Sequence, residues 1–195
     1  RLGESLTGRT LLALLALPDH DLARTAVMAV LSSGAIVDLD GMPVPATAWE
    51  RLAREANVVS GAAQWEERLR RYGADQPARL AELEAEGADA SRLRGPRERM
   101  ARAGELLAFV QRLADALNPE QRRTDWPGLT RWATELLELY LGSPADRSDW
   151  PPEEADAHAR VRDLLRNLAG LGAIEAAPGL ANFRRAVADG LDREV

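Results

Sequence analysis

The segment that indicates the fold class most clearly is Pro96–Leu117, with the sequence PRERMARAGELLAFVQRLADAL. Its apolar residues, among them Met100, Leu106, Val110 and Leu113, recur at near-helical spacing, which predicts an amphipathic helix with one buried face. At 1.5 Å per residue this helix would be about 33 Å long. We therefore expect it to be the backbone of the fold.

The rest of the chain repeats this pattern between Pro and Gly interruptions. Capping-box spacing at Thr47 and Glu50 predicts the start of one helix, and Gly73 is expected to end another. The sequence predicts an all-α protein, an irregular bundle of about seven to nine helices with one short extended or hairpin-like excursion near residues 36–45. The predicted helices are Leu6–Leu17, Leu22–Ser33, Thr47–Asn57, Ala62–Tyr72, Pro77–Glu86, Pro96–Leu117, Leu129–Leu141, Glu153–Leu171 and a last one from about Leu180.

Composition agrees with a helical globule. Ala, Leu, Arg and Glu dominate, and these residues lose little side-chain freedom in a helix. With 195 residues, 46% hydrophobic, we expect residues 1–195 to form a single helical domain. The chain starts with Arg1 and its last helix runs on to Val195, so we expect a fragment of a larger protein.

Several function classes are excluded by what the sequence lacks. All 25 basic residues are Arg, and a phosphate-binding loop of the GxxxxGK[ST] type needs a Lys. A nuclease of the PD-(D/E)XK type needs a Lys as well, and the nucleophile elbow and the dinucleotide fingerprint are also missing. Without Cys there are no disulfides, and the longest apolar runs are too short to span a membrane. We therefore expect a cytoplasmic protein with no membrane partner and with no catalytic residue, metal site or cofactor of its own.

Three weaker candidates for chemistry have simpler explanations. His20, between Asp19 and Asp21, is expected in a helix-capping loop, because adjacent residues cannot converge on one metal ion. His158 follows Glu154 by four residues, which predicts an exposed pair on one helix face. Asp38 and Asp40 are expected to be turn residues.

The five Trp residues lie in helical stripes or before prolines, so we expect core packing rather than base stacking.

One local cluster stands out in a chain of net charge −6. Five arginines lie between Ala90 and Gly104 against a single Glu98, and they predict a patch that binds phosphate or DNA by guanidinium contacts. Otherwise the cluster is a solvated helix face. The residues are Arg92, Arg94, Arg97, Arg99 and Arg102.

Several stretches resemble one protein family. GRTLLALLALP (Gly8–Pro18) and ARTAVMAVLSS (Ala23–Ser33) resemble the opening of the helical accessory insert of UvrD-like superfamily 1 helicases. AWERLAREA (Ala48–Ala56) and QWEERL (Gln64–Leu69) are similar to the AddB and RecC type of helicase-nuclease subunit. FRRAV (Phe183–Val187) resembles the helix that precedes re-entry into the helicase core.

The resemblance implies a context for this chain rather than a catalytic residue. The parent would be an ATP-dependent DNA helicase and exonuclease of recombinational DNA repair, using ATP and Mg. This chain would be a non-catalytic helical arm that contacts DNA weakly and locally, or that braces the rest of the parent chain or a partner subunit.

Two alternatives remain open at this stage. A helical protein-protein interaction module unrelated to DNA would expose an apolar patch rather than a basic face. An enzyme with an unfamiliar site would need buried, convergent polar residues around His20 or His158.

Overall fold

The computed structural model describes residues 1–118, 124–142, 147, 150–173 and 177–193. Over these residues the chain forms eight α-helices and no β-sheet, which confirms the all-α prediction of seven to nine helices. Short 3-10 turns cover Leu2–Glu4, Leu17–His20 and Gly170–Ala173. The helices are α1 (Leu6–Ala16), α2 (Arg24–Leu31), α3 (Ala46–Glu55), α4 (Ala62–Ala85), α5 (Ala90–Leu117), α6 (Trp126–Leu141), α7 (Pro152–Ala169) and α8 (Gly179–Arg193).

The chain divides into two compact units. Unit 1 comprises Arg1–Pro18, Ala29–Val44 and Asn118–Val195, and unit 2 comprises Asp19–Met28 and Pro45–Leu117. This division does not test whether the whole chain is a single domain, so that expectation stays a prediction.

Unit 1 is built on the packing of α1, α6, α7 and α8. Each helix contributes leucines, valines or aromatic residues at helical spacing, and these side chains are almost fully buried. Trp126 and Phe183 meet edge to face with their ring centroids 6.0 Å apart. The core includes Leu11, Leu14, Leu15, Leu136, Leu137, Val161, Leu165, Phe183 and Val187.

The N-terminus of α1 is held by a side chain from far along the sequence. The backbone amides of Leu6 and Thr7 donate to the two carboxylate oxygens of Glu154 on α7, at 2.9 and 3.3 Å. Ser5 is the N-cap, and its hydroxyl oxygen accepts from the amide of Gly8. Three amides that a helix start leaves without partners are thereby satisfied.

Unit 2 is built on the hairpin of α4 and α5, against which α3 packs. Trp49 of α3 contacts Phe109 of α5 with ring centroids 5.2 Å apart. Trp65 is fully buried, and its indole N–H donates to the carbonyl oxygen of Leu22 at 2.8 Å. Leu22 has a positive φ of 49°, so this bond also stabilises a left-handed backbone conformation.

The tight turn between Val37 and Pro43 in unit 1 matches the predicted extended excursion. A single β-bridge joins these two residues. The amide of Val37 also donates to the carbonyl of Tyr140 on α6 at 2.8 Å. The excursion therefore lies against α6 rather than forming part of a sheet.

The predicted end of α4 at Gly73 is wrong. Residues 62–85 form one continuous helix that contains both Gly73 and Pro77. The predicted helices Ala62–Tyr72 and Pro77–Glu86 are thus halves of α4. Pro77 is exposed, so its ring meets solvent, and packing against α5 along the hairpin outweighs the missing backbone hydrogen bond.

The predicted start of α5 at Pro96 is also wrong, because α5 begins at Ala90. Gly87, at φ 70°, ends α4 in a Schellman motif, with Ala88 N–H donating to Leu83 O and Gly87 N–H to Glu84 O. Asp89 then accepts from the amide of Arg92. At 28 residues α5 is about 42 Å long, and Gly95 and Pro96 lie inside it.

The predicted capping box at Thr47 is absent. Helix α3 starts at Ala46 after Pro45, and no side chain caps it. Thr47 is therefore already inside the first turn, where its hydroxyl cannot act as an N-cap.

Candidate functional site

The predicted basic patch lies on the N-terminal half of α5, in unit 2. Arg92 forms an ion pair with Glu86 at 3.5 Å, and Arg97 with Glu84 on α4 at 3.2 Å. Arg102 pairs with Glu98 at 3.7 Å. Carboxylates beside three of the five guanidinium groups reduce the positive field that a phosphate would meet.

The remaining two arginines differ from each other. Arg99 donates from Nε to the side-chain oxygen of the buried Gln76 at 3.2 Å. Arg94 is exposed and makes no ion pair among the described residues. At about 100° per residue, Arg92, Arg99 and Arg102 fall on one side of α5, whereas Arg94 and Arg97 fall on the opposite side. The five residues are therefore not one continuous basic face.

Arg99 and Arg102 do come together in a cleft between α3, α4 and α5, of about 440 Å³. Arg51 of α3 lines the same cleft and was not part of the sequence prediction. Its neighbour Glu55 accepts from Arg51 Nε at 2.8 Å and from the hydroxyl of Tyr72 at 2.7 Å. No motif pointed to Arg51, because its proximity to α5 depends on tertiary packing.

The protonation states in this cleft are fixed near neutral pH. Burial and the hydrogen bond to Glu55 raise the pKa of Tyr72 to about 12. Hydrogen bonds from Arg51 and then Tyr72 lower the pKa of Glu55. Tyr72 stays a phenol and Glu55 a carboxylate, so neither is tuned to exchange protons near pH 7. Glu55 and Glu98 also line this cleft and pair with Arg51 and Arg102, so its net positive charge is small.

His20 is exposed at the end of the 3-10 turn Leu17–His20, where its carbonyl accepts from the amide of Ala23 at 2.8 Å. In the part of the chain that the structure describes, no three His, Asp or Glu side chains are grouped closely enough to hold a metal ion. The structure thus leaves His20 as a turn residue ahead of α2.

The predicted exposed pair of His158 and Glu154 is wrong. His158 is only 2% exposed, and its ring packs on Trp150 with centroids 5.9 Å apart. Glu154 instead caps α1, as described above. Burial, then repulsion from Arg162, lowers the pKa of His158. Its Nε2 has no hydrogen-bond partner among the described residues, so it is not part of a relay.

The Asp38 and Asp40 segment is a turn, as predicted. The Asp38 carboxylate accepts from the amides of Asp40 and Met42 at 3.0 and 2.9 Å. The turn borders a surface hollow of about 850 Å³ that is also lined by α6 and α7. Leu39 and Met42 are exposed there, a feature that the sequence did not single out.

Core packing is confirmed for four of the five tryptophans, namely Trp49, Trp65, Trp126 and Trp132, which are at least nine-tenths buried. Trp150 is partly buried against His158. Stacking on nucleic-acid bases is therefore not open to the four core side chains without unfolding.

Comparisons with protein families, with curated proteins and with solved structures found no match to this chain. None of the helices in the described ranges is at once long enough and apolar enough to cross a lipid bilayer.

Proposed function

We propose that this chain is a non-catalytic helical accessory domain of an ATP-dependent DNA helicase and exonuclease of recombinational repair, of the AddB/RecC type. The supporting observation is that several large apolar residues of the family-like stretches are core residues. Leu11 and Leu14 of α1 and Phe183 of α8 are buried in unit 1, and Trp49 and Trp65 are buried in unit 2. The resemblance therefore includes packing positions of a helical domain.

The parent protein would supply the chemistry. Nucleotide binding through a phosphate loop needs a Lys, and this sequence has none. In this proposal ATP and Mg bind to the helicase core of the parent, and the present helices contact DNA or a partner subunit. Its cytoplasmic location belongs to the same proposal.

The coding sequence on either side of residues 1–195 gives a direct test of the parent class. We expect helicase nucleotide-binding motifs before and after this segment. The isolated chain should neither hydrolyse ATP nor cut DNA. Turnover by the isolated chain that one point substitution abolishes would overturn the proposal.

DNA contact by the α5 arginines can be tested separately. We expect Arg92→Gln/Arg99→Gln/Arg102→Gln, on one side of α5, to weaken duplex binding at low salt by about an order of magnitude, because each lost phosphate contact lowers counterion release. The matched control is Arg54→Gln/Arg70→Gln/Arg131→Gln, which removes the same charge from exposed positions elsewhere. Titration by fluorescence anisotropy at several salt concentrations measures both. Equal losses of DNA affinity in the two variants would show that the α5 arginines are not a specific DNA-binding patch.

A second candidate is a helical protein-interaction module unrelated to DNA. The exposed apolar side chains Leu39, Met42 and Leu139 around one hollow of unit 1 favour it. This candidate predicts no salt-dependent DNA binding by either arginine variant or by the wild type.

A further inference from the structure

The turn at residues 38–42 of unit 1 lies on the surface and is closed by several internal hydrogen bonds. Its backbone is closed by Asp38 N–H to Met42 O at 2.9 Å and by Gly41 N–H to Asp38 O at 3.1 Å. The Asp38 side chain adds two more bonds to backbone amides inside the turn. Gly41 takes a positive φ of 73°, which a residue with a side chain rarely adopts. The side chains that this turn presents are therefore pre-organised.

Two of those side chains are large, apolar and exposed to solvent. Leu39 is 66% exposed and Met42 61%. Leu139, on the neighbouring face of α6, is 40% exposed and lines the same hollow. Of the five large apolar side chains that are exposed within the described residues, three thus surround one hollow. Clustering of this kind marks interaction sites more often than scattered single exposures do.

Acidic groups dominate the accessible rim of the hollow. Asp38 and Asp40 flank Leu39, and neither forms an ion pair with another described residue. On the α6 and α7 side, Glu138 and Arg162 neutralise each other at 3.1 Å. Arg147 is 5% exposed and donates to the carbonyls of Ala35 and Leu141, so its guanidinium is directed into the protein.

The charge of this rim discriminates between occupants. A two-fold contact that paired this patch with itself would bring two acidic rims close together, which is unfavourable. Phosphates of DNA and of anionic lipids would be repelled. A polypeptide with an apolar anchor flanked by basic side chains matches both the leucine and methionine patch and the acidic rim.

We propose that the Leu39, Met42 and Leu139 surface of unit 1 is a docking site for a partner polypeptide that carries apolar anchor side chains flanked by Lys or Arg. This docking site does not depend on whether the parent is a helicase-nuclease. A turn closed by internal hydrogen bonds lowers the entropy lost on binding, and a methionine adapts its shape to an anchor.

Three synthetic peptides test the proposal by titration into the ¹⁵N-labelled chain. One is an amphipathic helix of Leu and Lys, the second has Glu in place of every Lys, and the third keeps Lys but has Ser in place of Leu. We expect only the first to bind tightly, with amide shifts centred on Leu39, Met42 and Leu139. Affinity should fall as salt rises.

Substitutions in this chain test where the Leu/Lys peptide binds. Leu39→Ser/Met42→Ser should weaken binding of the Leu/Lys peptide at least tenfold, and Asp40→Lys should weaken it as well. The matched control is Val59→Ser/Met100→Ser, which removes two exposed apolar side chains of unit 2 and should leave affinity unchanged. Leu139→Ser provides an independent variant outside the turn, and circular dichroism checks that each variant is folded. Tight binding of the Glu peptide, shifts centred elsewhere, or full affinity of the Leu39→Ser/Met42→Ser variant would overturn the proposal.

Discussion

Buried polar side chains in this chain contribute in opposite directions to stability. The indole N–H of Trp65 is paired with the carbonyl of Leu22 at 2.8 Å, and a buried hydrogen bond of this kind contributes about 1 kcal/mol. His158 Nε2 is buried without a partner among the described residues. Trp65 therefore stabilises the local backbone of unit 2. His158 instead lowers the free energy of unfolding by an amount that depends on its protonation.

The pH dependence of the free energy of unfolding should show the effect of protonating His158. Burial lowers its pKa below the ordinary 6.5, so the unfolded chain takes up a proton before the native chain does. This group leaves stability unchanged above about pH 6.5 and reduces it as the pH falls below that value. We expect the free energy of unfolding, from urea titrations between about pH 7.5 and pH 5, to decrease accordingly.

The matched variants separate His158 from other groups that titrate. His158→Phe keeps a ring against Trp150 and should flatten this part of the profile. His20→Gln replaces the exposed histidine and serves as the matched control. A profile of His158→Phe that still falls between pH 6.5 and pH 5 would contradict the assignment.

At the scale of elements, the start of α1 relies on a group that lies far away in sequence. Glu154, in the first turn of α7, accepts from two amides at the start of α1. Glu153, the preceding residue, is exposed, and both carboxylates lie near the α7 N-terminus. The two glutamates thus share the α7 helix-dipole interaction and differ in the contact with α1.

We expect Glu154→Ala to lower the free energy of unfolding by about 1 kcal/mol more than Glu153→Ala, because only the first leaves two α1 amides without partners. Urea denaturation followed by circular dichroism measures both variants. Equal decreases in the free energy of unfolding would show that the Glu154 cap of α1 adds nothing to the interaction with the α7 helix dipole.

Pro77 is expected to weaken α4, because it lacks the N–H that would bond the carbonyl of Gly73. Its exposed position means that no packing is lost on truncation. Pro77→Ala should raise the free energy of unfolding by about 2 kcal/mol, the helix gain less the added freedom of the unfolded chain.

The control is Pro152→Ala at the first position of α7, where proline is well tolerated and little change is expected. Thermal denaturation of the two variants checks the comparison. A Pro77→Ala variant less stable than the wild type would show that the proline shapes the α4 and α5 hairpin.

Exposed ion pairs along these helices add little by comparison. Arg54 pairs with Glu50, and Arg70 with Glu66, each at i,i+4 spacing and largely exposed. Pairs of this kind contribute about 0.3 to 0.5 kcal/mol. Packing of the apolar faces is therefore the main source of helix stability here.

At the scale of the whole molecule, neither compact unit is continuous in sequence. Unit 2 takes Asp19–Met28 from between two segments of unit 1. That short segment is needed, because Leu22 accepts the Trp65 indole bond and the amide of Arg24 donates to Val59 O at 2.8 Å. Prolines lie at or beside three of these crossings, at Pro18, Pro45 and Pro119, but no local pattern shows which segments share a unit.

Local sequence patterns were enough to predict the fold class, the approximate positions of the helices and the burial of four tryptophans. Apolar periodicity and helix propensity are local properties, and they can be recognised without knowing which helices meet. The turn at Asp38 and the end of α6 at Gly142 were predictable for the same reason.

Which Gly and Pro residues end a helix, and which side chains meet, depends instead on tertiary packing. Gly73, Pro77 and Pro96 remain inside helices because packing between α4 and α5 offsets a local cost of a few kcal/mol. Several close approaches join segments that are distant in sequence. Glu154 of α7 contacts the start of α1, Arg51 shares a cleft with Arg99, and Leu139 lines the same hollow as the Asp38 turn. Such contacts depend on the summed packing of the whole unit, which no local pattern contains.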